Sequence, residues 1–328
     1  MSQPAGSWQS MRERALLTLE REKSAVIRAE AAEAICDAAA DAPDDALPDF
    51  AADVVRLLND KQEEVRCAGL ALASEVLAPD EAKDLLIRNI GDKAHRVRVE
   101  AVGRLADLAL PEARGALAVA LEDDIFPVRF EAARGMVALQ HSAGLETLLT
   151  ALEDPDLRFR AAAALAQLGN KDALPRLKKA FHGWFLPAFD KTQLAGALAR
   201  LGDSEGVEHL FKRAGKGWSM DRAMAIELLG EVKAPGAKER LLTILKTADD
   251  DCRGAAARGL GRLGDQHLID DLASVLTEPL TADDVKLDVA EGMLRLDVAK
   301  ARERLSSLVL AEDDSKAELA AMLKEFTS

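Results

Sequence analysis

Tyrosine is absent from this 328-residue chain, and aromatic side chains of any kind make up only 4% of it. A core must therefore be built from Ala, Leu and Val, and a large sheet, which favours aromatic and β-branched residues, is disfavoured. Cysteine is nearly absent as well. Cys36, Cys67 and Cys252 are far apart, odd in number and without a C-x-x-C pair, so no disulfide framework is expected and the compartment reads as reducing. The five histidines (His95, His141, His182, His209 and His267) show no H-E-x-x-H or paired spacing, and no metal site is assigned. No stretch reaches the ~18 apolar residues of a membrane span. The N-terminal segment lacks an apolar core followed by a small-residue cleavage site, and the expected location is cytoplasmic. Positive charge is in deficit too, with 43 Lys and Arg against 57 Asp and Glu and a net charge of −14. General nucleic-acid binding and adsorption to anionic membranes are both disfavoured by that sign.

What the chain does have is 48% hydrophobic and 30% charged residues, rich in the strong helix formers Ala, Leu, Glu and Arg. Acid is concentrated early: residues 1–164 carry a net −11 and the remainder −3. The sequence also repeats itself. LLNDKQEEVRCAGLALASEVL surrounds Arg66, IGDKAHRVRVEAVGRLADLA surrounds Arg98, and LEDDIFPVRFEAARGMVAL surrounds Arg129. LEDPDLRFRAAAALAQLG and LKTADDDCRGAAARGLGRLG do the same around Arg158 and Arg253. Weaker copies are centred on Arg28, Lys191, Ser219, Lys286 and Lys316, which makes ten units spaced by 28–38 residues over the range 1–328.

Each unit carries two patterns of 3.6-residue period. In the second, apolar or small residues fall at −1, +3, +4, +7 and +10 from the anchor, one face of a helix. Acids in the preceding turn are expected to cap that helix. Gly169, Gly202, Gly230 and Gly264 are expected to close it in the left-handed conformation. A lone helix pair cannot bury its apolar face, so the units must stack into a solenoid. The expectation is an all-α, single α-solenoid of about ten helix pairs spanning residues 1–328.

At this point the residues resemble a known family. The turn acids Asp60, Asp92, Asp123 and Asp154, the V-R pair, the small pair after it and the L-G ending are similar to HEAT repeats. They look like the short subclass first recognised in phycobilisome lyase subunits. The resemblance implies that Arg66, Arg98, Arg129, Arg158 and Arg253 form a structural ladder with the turn acids, and that the second helices line a concave groove. It is specific for fold and leaves function open, because the family includes scaffolds, adaptors, lyase subunits and a few enzymes.

Several motifs are decoys. GLGRLG at 259–264 fits G-x-G-x-x-G, but it lies inside a repeat helix with no strand before it. AGKGWS at 214–219 lacks the first Gly and the Ser/Thr of a phosphate loop. HEAT-like hydroxylases carry His-Glu dipeptides as iron ligands, and here only the reversed Glu208-His209 occurs. No catalytic, cofactor-binding or metal-ligating residue is assigned.

Two surfaces remain. Positions +2, +5 and +9 should face the groove. They read acidic early (Glu30, Glu33, Asp37, Glu75, Glu100, Asp107 and Glu131) and basic later (Arg134, Arg160, Arg200, Arg258, Arg262 and Arg295), with Asp221, Asp288 and Glu291 as exceptions. The second surface is local. FHGWFLPAFDK at 181–191 and AGKGWSMDR at 214–222 place Trp184, Phe185, Phe189 and Trp218 in turns whose units lack the anchor Arg. Departures from a repeat consensus are where such proteins carry function. The expectation is a non-catalytic scaffold or adaptor for another protein; the alternative is a lyase-type or other enzyme subunit holding a ligand in the groove.

Overall fold

The computed structural model describes residues 7–215, 219, 221–247, 250–279 and 281–326. Among them are twenty α-helices and four short 3-10 turns, and no strand. The chain divides into two compact units, Met1–Ala151 and Leu152–Ser328.

In the first unit the opening helices are α1 (Ser7–Arg21), α3 (Ala51–Leu58), α5 (Pro79–Asn89), α7 (Arg114–Ala120) and α9 (Leu145–Ala151). Between them run α2 (Ala25–Ala40), α4 (Glu63–Val76), α6 (His95–Leu108) and α8 (Phe126–Ala138). These second helices pack in series, α2 on α4, α4 on α6 and α6 on α8; α1, α3, α5 and α7 each pack on the helix that follows, and α9 packs on α8. In the second unit the second helices are α10 (Arg158–Leu168), α12 (Ala188–Arg200), α14 (Arg222–Glu231), α16 (Arg253–Leu263), α18 (Asp283–Leu296) and α20 (Asp313–Glu325). They also stack in series, with α11 (Leu174–Phe181), α13 (Ser204–Arg213), α15 (Ala237–Leu245), α17 (Ile269–Leu276) and α19 (Val298–Leu305) alternating as the other layer. The architecture is an all-α solenoid.

The core is what the composition requires. In α6 the buried residues are Val97, Ala101, Val102, Leu105 and Ala106, which are the −1, +3, +4, +7 and +8 positions from Arg98. Phe50 and Phe130 are the only aromatic rings among the largest fully buried side chains; Leu, Ile and Met fill the rest.

Two local expectations need correction. Gly169, Gly202 and Gly264 do take φ of +69°, +88° and +81° at helix ends, where a Cβ would crowd the next carbonyl. Gly230 instead lies inside α14, and a Cβ there would sit 2.0 Å from the Gly259 carbonyl oxygen of α16. Its role is close helix approach. Gly261 repeats this against Gly292 of α18, so Gly259 and Gly261 of GLGRLG are packing residues and Gly264 is the helix end. The turn acids also act differently from a helix cap. Asp60, Asp92, Asp123 and Asp250 accept from the backbone N–H two residues on, at 2.8–2.9 Å, closing a turn on the residue that precedes the helix.

Candidate functional site

The carboxylates of those turn acids also receive the anchor arginines of the unit before. Arg66 grips Asp92 with two bonds of 2.9 and 2.8 Å, and Arg98 grips Asp123 with two of 2.8 and 3.0 Å. Arg28 donates to Asp60 through one nitrogen, Arg158 reaches Asp190 at 3.2 Å, and Arg253 reaches Glu278 at 2.6 Å. Each also donates to carbonyls of its own turn, as Arg66 does to Asp60 and Lys61 at 3.0 and 3.1 Å. Arg129 donates to the carbonyls of Asp123 and Asp124. Burial works against ionisation of Asp92. The Arg66 and Ala94 hydrogen bonds and the Arg66 charge outweigh it, so the carboxyl sits below its ordinary value. These arginines hold the repeat together and are not free to bind a ligand.

Where the consensus breaks, the ladder is rebuilt from other residues. Lys191 places its ammonium 5.0 Å above the Phe181 ring. The fully buried Thr192 hydroxyl donates to Asp221 at 2.5 Å, and Arg213 of α13 supplies the missing cation to the same carboxylate. Asp221 is 1% exposed, so it does not face the groove as position +2 was expected to. The true anchor of this unit is Arg222, which holds Asp250 with bonds of 2.9 and 2.7 Å. It lies 31 residues from both Lys191 and Arg253, a more even spacing than Ser219 allows.

That shift of three residues changes the charge of the second-helix face. Counted from Arg222, Glu227 and Glu231 occupy +5 and +9, two acids that counting from Ser219 conceals. Glu227 receives Arg258 at 2.6 Å and also Arg262, while Arg258 bonds Asp288 on α18. Glu231 receives Arg200 at 2.7 Å. Arg295 pairs with Glu291 at 2.8 Å, Arg160 is engaged as well, and in the first unit Arg134 bonds Asp107, Glu131 and the Gly103 carbonyl at 2.6–3.0 Å. Arg258 and Arg262 are thus brought together through one acid, and Arg200, Arg258 and Arg262 are all paired across neighbouring second helices. Within the first unit Glu30, Glu33, Asp37 and Glu75 are exposed carboxylates. The thiol of Cys36 is pushed up to about 11, first by burial and then by the charges of Glu75 and Asp37.

The aromatic turn between α11 and α12 is exposed. Trp184 is 90% and Phe185 97% accessible, with ring centroids 6.2 Å apart; Phe189, expected in the turn, is instead the second residue of α12 and is 38% accessible. Phe185 has φ of +56°, unfavourable for a residue bearing a Cβ, and this conformation presents its ring to solvent. Trp218 lies outside the described residues. Phe181 is instead core, with His182 and His209 edge-on to it at 5.2 and 5.3 Å. No group of three or more His, Cys, Asp or Glu side chains among the described residues is placed to hold a metal ion. No described helix is long and apolar enough to cross a membrane.

Compared with known proteins, residues 114–183 and 219–293 match the sequence profile of HEAT repeats. Those two segments are similar to HEAT repeats. A curated relative, the phycocyanobilin lyase subunit alpha of a Picosynechococcus species, is 29% identical over 171 residues, 49% of this chain. The chain spans 56% of the length of that relative. Among solved structures, the complex of CpcE and CpcF of phycocyanin lyase from Nostoc aligns at 21% identity over 76% of this chain and 95% of that one, with a TM-score of 0.47. Human deoxyhypusine hydroxylase aligns at 18% identity over 76% of this chain and 97% of that one, with a TM-score of 0.31. Superpositions this loose carry no functional meaning.

Proposed function

We propose that this chain is a lyase-type HEAT subunit, whose own part is to hold another protein against its second-helix face while a ligand on that protein is handled. The observation that carries the reading is the 29% identity over 171 residues to a phycocyanobilin lyase subunit. The geometry supports holding as this chain's share of the work. The arginines of the face are tied to acids of neighbouring repeats, so they stiffen a platform instead of standing ready as acids, bases or anion clamps. A second reading, a plain scaffold or adaptor, is favoured by Trp184 and Phe185, since exposed aromatic rings are the usual anchors of protein interfaces.

One experiment separates the readings. The tagged chain is captured from its native lysate, partners are identified by mass spectrometry, and phycocyanobilin absorption is followed on titration with the complex. A stoichiometric protein partner together with a saturable absorption change supports the lyase-type subunit. A partner without the absorption change supports the scaffold, and no partner at all overturns both.

A further inference from the structure

The aromatic turn is pinned from one neighbouring helix. Glu205 and His209 stand four residues apart on α13 and therefore share a face of it. His182 lies 3.1 Å from Glu205, and the His209 ring is set edge-on to Phe181 at 5.3 Å. Phe181 ends α11 and His182 caps it, so the turn that carries Trp184 and Phe185 leaves directly from the two pinned residues. That turn holds Phe185 at a φ of +56°, a conformation that persists only where its surroundings over-determine it. Of the two pins, His209 is the one set against charge. Its Nε2 is buried and meets no hydrogen-bond partner among the described residues. Lys191 of α12 stands over the same Phe181 ring at 5.0 Å, and Lys212 and Arg213 add positive charge from α13 itself. Asp221, the acid that faces His209 from the start of α14, is already engaged by the Thr192 and Ser219 hydroxyls and two Arg213 nitrogens. Those bonds take all four acceptor positions of its carboxylate. Burial first, then Lys191 and Arg213, hold the imidazole below its ordinary 6.5, with Asp221 opposing and Lys212 adding.

We infer that the aromatic turn is an acid-released latch: neutral His209 keeps Phe181 seated and presents Trp184 and Phe185, and protonation of His209 lets the turn go. Protonation places a cation among Lys191, Lys212 and Arg213, beside an acid with no acceptor position left. The ring swings to water, Phe181 loses that edge, and the turn is left on the Glu205 pin alone. Phe185 then gives up its positive φ, so the released turn has a second, unstrained conformation to fall into. With its imidazole in water the released state takes up the proton more readily, so acid favours release and neutral pH the latched turn. Protonation of His182 works the other way, because it strengthens the bond to Glu205. The repeat itself stays assembled. Burial opposes ionisation of Asp221, and the Arg213, Thr192 and Ser219 hydrogen bonds outweigh it, so this carboxyl sits well below the usual carboxylate range. That the latch governs binding rests on the second reading above, in which these rings are anchors; the change in the turn does not.

The test is fluorine NMR of the full-length chain carrying fluorotryptophan, with the Trp184 resonance identified by its loss in Trp184→Phe. Between about pH 7.5 and 5 that resonance should follow one titration with a midpoint below about 6.5, while the Trp8 resonance stays in place. The His209 imidazole, followed through its own ring-nitrogen shifts in the unsubstituted protein, should titrate with the same midpoint. His209→Gln should leave the Trp184 resonance flat across the range, and His182→Gln should leave it titrating, with circular dichroism showing both variants folded. Should His209→Gln fail to fold, the match between the imidazole and Trp184 midpoints decides alone. A Trp184 resonance that ignores pH, titrates apart from the His209 imidazole, or follows His182 instead would each overturn the inference. Capture of the lysate partner that is unaffected by Trp184→Ala with Phe185→Ala removes the second reading and not the latch.

Discussion

A single ladder arginine shows how much one side chain does in this protein. Arg66 is 5% exposed and satisfies a carboxylate on the next repeat and two carbonyls of its own turn. Removing it leaves Asp92 half-buried without its countercharge, a loss of about 3 kcal/mol by the usual cost of breaking such a pair. Urea unfolding of Arg66→Ala should show that loss, and Arg96→Ala, whose side chain is 59% exposed, should change stability by less than about 1 kcal/mol. The pH dependence has two parts. His209 is lowered from its ordinary 6.5, first by burial and then by Lys191 and Arg213, with Asp221 opposing. The unfolded chain therefore binds the proton more readily, and the stability His209 contributes is present above about 6.5 and lost as pH falls below it. The ladder acids Asp60 and Asp92 are also lowered, from 3.8, so their contribution persists above that value and is lost only in stronger acid. Thermal melts of His209→Gln should be flat between pH 6.5 and 5 where the parent declines. A parallel decline in both proteins would show that the histidine is not the titrating group.

At the scale of helices, the repeat period and the buried face were legible because each anchor Arg is followed by the same small and apolar spacing. Arg98 with Ala101, Val102 and Leu105 shows it in full. The anchor of the seventh unit was misread for a physical reason. Its ladder is assembled from Thr192, Arg213 and Asp221 on three different segments, and no local pattern announces such a construction. The misplaced anchor then hid Glu227 and Glu231, so the late rows read as basic when they are paired. A reversal of Arg258 to Glu consequently places a third carboxylate beside Glu227 and Asp288 and should destabilise the fold before it informs on any partner. The glycines divide in the same way. Gly230 touches α16 directly, so Gly230→Ala should lower stability by ~2 kcal/mol or more through forced separation of α14 and α16. Gly115 in α7 has nothing within 4 Å of where a Cβ would stand, and Gly115→Ala should raise stability by about 0.5–1 kcal/mol. Chemical denaturation of the two variants side by side decides whether helix approach or helix propensity governs each site. The exposed Phe185 belongs to neither class. Phe185→Gly should relieve about 1 kcal/mol of backbone strain, whereas a ring that packs would lose stability on removal.

For the molecule as a whole, a stack of repeats held by nearest-neighbour contacts should tolerate losing one repeat only in register. Deleting residues 66–97 joins Val65 to Arg98, so one anchor replaces another and the apolar face of α4 continues into that of α6. Arg98 keeps its grip on Asp123 and inherits the turn carbonyls that Arg66 used. Deleting residues 66–99 instead rotates the remainder of the helix by about 200° and turns its apolar face to solvent. Circular dichroism and urea melts should show the first shortened chain folded and cooperative and the second unfolded. The junction is not perfect. Gly69 allows α4 to lie against α3, since a Cβ there would come within 2.9 Å of the Leu57 Cβ, and the deletion puts Ala101 in that place. The in-register chain should thus be less stable than the parent by more than the loss of one interface, and Ala101→Gly within it should recover part of the difference. In the full-length protein the same Ala101→Gly should only destabilise, by about 1 kcal/mol, because it adds helix entropy and relieves no contact. Opposite signs for one substitution in two lengths of the same chain would show that each glycine is matched to its neighbouring repeat. Equal signs would mean that the repeats are interchangeable and that the nearest-neighbour account of Gly69 is wrong.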